Sequence, residues 1–437
     1  MTDADALDTD GLTRREALKA AVAVGGAAGL AACVDRLDGA EPIPAGDGPN
    51  AHPERQFGWN EHVPTDDAGN WVLPRHQTLL YLDSPGDGPP SAADRDAVSG
   101  ALAGLDEAFE WSNEGLLHSA AYSPSYFERF DEPLAVPDDV SLPQPTPLAD
   151  YETPDFDTQD VLVHLASDRP DALLQAEQAL LGEADEANGV PIPASLTDAL
   201  EVDARRTGFI GAGLPRERAD ELAGVPDPNP VPEASPLFMG FAAGFRRNQS
   251  TEDAVAIGEG PFADGTTKSV GNWRQRLDDW YGEQDFDEQV MEMFSPGHAA
   301  EGLVEGVGTN LGDDSGIDRF LDAVVDDARE YGRVGHAQKA ARANRDADGN
   351  PILLRRHFES ADDDIASLHF PSLQRSIDQF EAVRRAMNGV DATEATPAVR
   401  QRVNNGILEY IFVRHRGYFL VPPRSLRALP TPSGDDG

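Results

Sequence analysis

Three short stretches hold side chains whose types and spacing could do chemistry. In "VGHAQK" a lone imidazole, His336, sits in a polar helical run, where it is either a solvated surface group or a nitrogen donor for a bound metal. "LLRRHF" places Arg355 beside Arg356 in an apolar run. Strand alternation turns one of the two inward, and a buried guanidinium needs an anionic partner. In "LFMGFAAGFRRNQ", Gly240 and Gly244 bracket Phe241 and Ala243. The glycines let backbone approach a flat ligand and the phenylalanines can pack beneath it, yet the centre of the loop carries only methyl groups. Other chemistry is absent by pattern. There is no phosphate-cradling Gly-Lys loop, no HExxH pair and no G-x-S-x-G elbow. His164 and His369 stand in apolar strands and read as satisfied core residues, while His298 and His357 lack the spacing of paired ligands.

These residues need elements to position them. "HQTLLYLDS" and "DVLVHLASD" read as strands, and the runs over 92–112 and 169–186 repeat apolar residues at helical spacing. A Pro-rich stretch follows, ending in "GVPDPNPVPEASP". Beyond it the pattern predicts helices in "NWRQRLDDWYGEQDFDEQVMEMF" and "GIDRFLDAVVDDAREYG", strands in "PILLRRHF" and "IASLHFPSL", a helix in "QRSIDQFEAVRRAMNG" and a last strand in "GYFLVPP". The expected organisation is a signal over 1–33, a flexible linker over 34–70, an α+β domain over 71–200, a Pro-rich connection over 201–235 and a second α+β domain over 236–437. Asp264, in "FADGT", reads as a surface turn.

Composition narrows the partners. The chain has 437 residues, with 35 Lys+Arg against 78 Asp+Glu and a net charge of -43. Lysine occurs only at positions 19, 268 and 339. Such a surface repels nucleic acid and anionic membranes, and acids spread along the whole length fit a halophilic protein whose carboxylates keep it hydrated in salt. Cys33 is the single cysteine, so neither an internal disulfide nor a multi-thiolate metal site can form. It closes "TRREALKAAVAVGGAAGLAAC", in which Arg14 and Arg15 precede a short Ala/Gly-rich apolar run. That run suits a signal better than a membrane span. It resembles a twin-arginine export signal, and "LAAC" resembles a lipoprotein box that would acylate Cys33. The expectation is an exported protein, lipid-anchored to the outer face of the cell membrane, with no other membrane contact.

Four segments, in order, resemble the dye-decolorizing (DyP-type) haem peroxidases: "RRTGFIGAG" with "LFMGFAAGFRRNQ"; "GPFADGTTKSVGNWRQRLDDWY"; "GHAQKAARANRDADGNPILLRRHFES"; and "SLHFPSLQRSIDQFEAVRRAMNG" with "RGYFLVPPRSLRALP". The likeness spans roughly Arg205 to Pro430, and the first domain shares only the order of elements. It implies an α+β fold of two ferredoxin-like domains of the dimeric α+β barrel type. It also implies haem b as cofactor, hydrogen peroxide as oxidant, an electron donor of unknown class and room for an oligomer. Carried over position by position, His336 would be the proximal iron ligand and Arg355 the distal arginine. Gly240, Phe241, Ala243, Gly244 and Phe370 would line the haem pocket. Ala243 stands where the family carries the aspartate that moves the peroxide proton, and a methyl cannot do that work. Glu252 and Asp253 are the nearest acids in sequence that could swing in. A propionate-binding arginine is also displaced, its position falling near Gly271, with Arg246, Arg247 or Arg274 as substitutes. The alternatives are a haem-binding or haem-transfer protein without turnover, and a pseudoenzyme of the same fold. Trp273, Trp280 and Tyr281 read either as electron relays or as the packed face of a helix.

Overall fold

The computed structural model describes residues 41–48 and 51–434. The first half runs β1 (His76–Asp83), α1 (Ala92–Ala108), β2 (Leu117–Tyr122), β3 (Val161–Ser167), α2 (Pro170–Leu180) and β4 (Glu201–Phe209). The second half runs β5 (Thr266–Gln275), α3 (Leu277–Glu283), α4 (Phe286–Met293), α5 (Val324–Tyr331), α6 (His336–Ala343), β6 (Leu354–Arg355), β7 (Phe358–Ser360), β8 (Ser367–Gln374), α7 (Ile377–Ala386) and β9 (Ile411–Val421). Hydrogen bonding orders the strands β7-β4-β1-β3-β2-β9-β5-β8-β6, and β7 also pairs with β8, so the ring closes. Within it β4-β1-β3-β2 and β9-β5-β8-β6 repeat one antiparallel order, that of a split βαβ ferredoxin-like unit. The fold is thus α+β, two ferredoxin-like halves sharing one barrel.

Alternation explains how each strand serves two cores. Along β1, Leu80 and Leu82 join the apolar layer under α1 and α2, while Leu79 and Tyr81 turn into the barrel to meet Phe358, Leu373 and Phe419. Ser91 caps α1 in a capping box with Asp94, and Pro170 starts α2 with its fixed φ. The seams between halves are thin: β2 meets β9 at Leu420↔Tyr122 and β4 meets β7 at Glu359↔Phe209. A buried carboxylate reinforces them. Glu152, from the first half, accepts from Arg384 of α7 and from Arg416 of β9, the latter at 2.8 Å.

Several expectations from sequence are corrected. The described part of 34–70 is docked, with Phe57, Trp59 and Val63 buried. The Gln56 amide donates to Ala120 O at 3.1 Å and Pro422 O at 2.9 Å and accepts from Ala120 N at 2.9 Å, bridging the β2–β9 seam. A Pro/Gly-rich composition suppresses periodicity without preventing docking by anchors of this kind. The connection expected from 201 opens with β4, which pairs with β1 along its length. The helix expected from Asn272 begins only at Leu277, because β5 runs through Gln275. β2 carries no polar alternation, being buried throughout. The twin-arginine run and Cys33 lie outside the described residues, and among the described residues no helix is long and apolar enough to cross a membrane.

Candidate functional site

His336 is the first residue of α6, and the helix is clamped so that this end cannot drift. A Cβ on Gly335 would lie 1.8 Å from Phe294 O, and one on Gly406 would lie 2.8 Å from His336 N, so two glycines permit the close seating. One turn on, Lys339 Nζ donates to Met387 O and Asn405 O, both at 2.8 Å. Gln338 Nε2 donates to Phe320 O and to Asp327 Oδ2, both at 2.7 Å. With its neighbours so held, the His336 ring borders a cavity of about 1030 Å³, mouth included, with mainly apolar walls from α6, α7 and the loop after residue 241. Burial, then the Lys339 and Arg355 cations, pull the imidazole down to about 3, so it is neutral with a free nitrogen lone pair. Among the described residues no hydrogen bond engages it, and no cluster of three or more His, Cys, Asp or Glu is set to hold a bare metal ion.

Arg355 borders the same cavity. Its Nε donates to Gln249 Oε1 at 3.2 Å and its backbone N–H to the same oxygen at 3.1 Å. Burial lowers the guanidinium to about 10, which leaves it charged near neutrality without a carboxylate partner. Arg356 turns the other way, to Glu252 at 3.0 Å and Asn60 at 2.7 Å.

The loop between them is built by α3. Trp280 Nε1 donates to Met239 O at 3.1 Å and Tyr281 Oη to Phe238 O at 2.6 Å. Phe238 N donates to Glu359 Oε1 at 2.8 Å. Gly240, at φ +89°, has no room for a Cβ, which would meet Tyr281 Oη at 2.9 Å. Trp280 and Tyr281 therefore anchor the loop. Trp273 alone of the three aromatics reaches the cavity, stacked on Phe370 at 4.7 Å and 11°.

The wall comprises Ala243, Gly244, Phe370, His336 and Arg355 among those expected. Gly240 and Phe241 stand off it. Phe241 packs edge-on against Phe294 at 5.5 Å, because the loop turns between Phe241 and Ala242. The substitute acids are committed elsewhere. Glu252 accepts from Trp59 N at 2.7 Å and Asn60 N at 2.9 Å, and Asp253 pairs with Arg55, which also binds Asp264 at 2.9 Å. Arg246 and Arg247 pair with Asp313 and Asp314 outside the cavity, and Arg274 is exposed on β5. Arg345 and Arg384 border the cavity in their place. No single stretch of sequence marked them, since each depends on where α6 and α7 lie. His164 is satisfied by Gln77 at 2.8 Å and Lys268 at 3.2 Å, whereas His369 keeps Nε2 unpaired.

Among solved structures the chain is similar to the encapsulated DyP-type peroxidase of Mycobacterium smegmatis, at 15% identity and a TM-score of 0.52 over 82% of this chain and 96% of that one. It is also similar to a dye-decolorizing peroxidase of Bacteroides thetaiotaomicron, at 12% identity and 0.51 over 86% and 100%. At such identities the likeness establishes a DyP-like fold. No curated protein matches the chain in sequence. A family model described as a family of unknown function, DUF7405, matches residues 74–423, and the chain belongs to that family.

Proposed function

We propose that the chain is an exported haem-binding oxidoreductase of DyP type that acts on hydrogen peroxide. The observation that carries this reading is that His336 and Arg355 border one apolar cavity, the first neutral with its lone pair free and the second charged with no carboxylate partner. The residues fit a haem. An unengaged neutral imidazole suits an axial iron ligand and the apolar walls suit a porphyrin face; of the two further cations at the wall, Arg384 is held by buried Glu152 and Arg345 by the exposed Asp318, so Arg345 is the one a propionate could draw away. A haem b so held would supply the iron at which peroxide is reduced. The chain's own part is to hold His336 through the α6 clamp, to exclude water with its apolar wall, and to place Arg355 where negative charge develops on a peroxide oxygen. Ala243 contributes shape and no proton transfer.

The second reading, haem binding without turnover, is favoured by one observation: among the described residues no Asp or Glu borders the cavity. Absorption spectra separate the two. Protein in concentrated salt, titrated with haem, is expected to give a Soret band that His336→Ala loses or shifts. An unchanged spectrum in His336→Ala rules out the ligand assignment. A Soret band unaffected by hydrogen peroxide leaves only the non-catalytic reading.

A further inference from the structure

A second cavity, of about 1130 Å³ with its mouth, lies against the first. The two share Ala242, Ala243, Gly244, Phe245 and Arg355, so the loop and the arginine form a partition between them. His357 borders this second chamber on the same run as Arg355. Successive side chains of an extended run point to opposite sides, so residues 355 and 357 share a side while Arg356 points away to Glu252, Asn60 and the Trp59 ring. The His357 side chain is buried, its residue 4% exposed, and its Nδ1 has no hydrogen-bond partner. A buried nitrogen without a partner is costly and calls for an explanation, a functional role or a bound water being two of them. The ring stacks at 6.1 Å and 20° on Phe370, which itself borders the haem cavity.

From this juxtaposition we propose that His357 is the distal proton acceptor of the site, taking the role that Ala243 cannot fill. The assignment rests on the haem reading above. A protonated ligand HX, hydrogen peroxide or hydrogen cyanide, gives its proton to the His357 ring at the chamber wall as X⁻ settles beside Arg355. One imidazole becomes imidazolium, one neutral ligand becomes an anion, and the net charge is unchanged. The charged group acting on His357 is Arg355; Asp66 also borders the chamber, and Arg356, which borders it too, has its guanidinium turned to Glu252 and Asn60. Burial and the Arg355 charge keep the resting ring neutral and ready to accept. The arriving anion offsets that same guanidinium charge and so favours the imidazolium when it is needed.

Cyanide tests this without turnover. The haem-loaded full chain is mixed with potassium cyanide by stopped flow between pH 5 and 9, following the Soret shift. His357→Gln is expected to slow association at pH 7 roughly 100-fold, the lower end of general-base help, with the resting Soret band unchanged. Adding Ala243→Asp to that variant should recover most of the rate, because the new carboxylate supplies the acceptor that the variant lacks. Association in His357→Gln at the wild-type rate, with an intact Soret band, overturns the assignment. So does a roughly 100-fold acceleration in Ala243→Asp alone, which decides the matter even if His357→Gln fails to take up haem. A wild-type chain that binds no haem overturns the haem reading and this assignment together.

Discussion

Gln249 Oε1 accepts twice from Arg355, from its backbone N–H at 3.1 Å and from its Nε at 3.2 Å. A neutral amide thus aims the guanidinium where a carboxylate would have neutralised it, which leaves the charge for an incoming anion. Gln249→Ala is expected to weaken azide or fluoride binding to the haem-loaded protein about tenfold by freeing Arg355 to wander, at roughly 1.4 kcal/mol per decade. A spectroscopic titration reads this, and equal affinities would show that Gln249 does not position the arginine.

Glu359 ties the base of the loop, accepting from Phe238 N at 2.8 Å and Gln275 Nε2 at 2.9 Å. Burial raises its carboxyl from 4.5 to about 8. The folded state therefore holds the proton more tightly than the unfolded chain. Its stabilising effect is complete below about pH 4.5 and is lost as pH rises to about 8. Glu359→Gln should flatten the fall in stability across that window by roughly 3–4 kcal/mol, at about 1.4 kcal/mol per pH unit, leaving a residual slope from Glu292, which burial also raises to about 8. Denaturant midpoints at pH 5 and pH 8 measure it; parallel slopes in variant and wild type would refute it.

Glu152 is the buried anion between the halves, shared by Arg384 and Arg416. Glu152→Ala strands two buried guanidiniums, one of them on the wall of the cavity that His336 borders. The expected cost is about 3–5 kcal/mol, the range for breaking a buried pair from one side. It should appear as a lowered Tm with earlier loss of the Soret band. A Tm within a degree or two of wild type would mean that water enters the seam and screens the pair.

Cys33 lies outside the described residues, and the lipid anchor proposed there rests on "LAAC" following a twin-arginine run. Expressed in an organism that processes such signals, the wild-type chain should fractionate with membranes and Cys33→Ser should be released. Equal partitioning of the two refutes lipidation, and retention of Arg14→Lys/Arg15→Lys protein inside the cell would separate export from anchoring.

Much of this protein was already legible in its sequence. The short apolar run in "HQTLLYLDS" and the helical spacing over 92–112 depend only on residues close together in the chain, so they are readable without tertiary context. The same locality carried the two α+β halves, and the resemblance pointed to His336, Arg355 and Ala243, which the fold brings to the wall of one cavity. Long-range placement decided the rest. Strands β2 and β4 escape a pattern reading, because β2, "LHSAAY", has no run of large apolar or β-branched residues and β4 bears charges at its exposed end. Gly240 and Phe241 leave the cavity wall because Tyr281 and Phe294 claim them. Arg345 and Arg384 reach the wall, and Arg246 and Arg247 do not, according to which acid each finds across the fold. His357 has no motif of its own in the sequence. It becomes a candidate only when the barrel closes through β7 and sets a buried imidazole on the wall of a chamber that shares Arg355 and the loop over 242–245 with the cavity of His336, a relation among residues far apart in the chain that no local periodicity encodes.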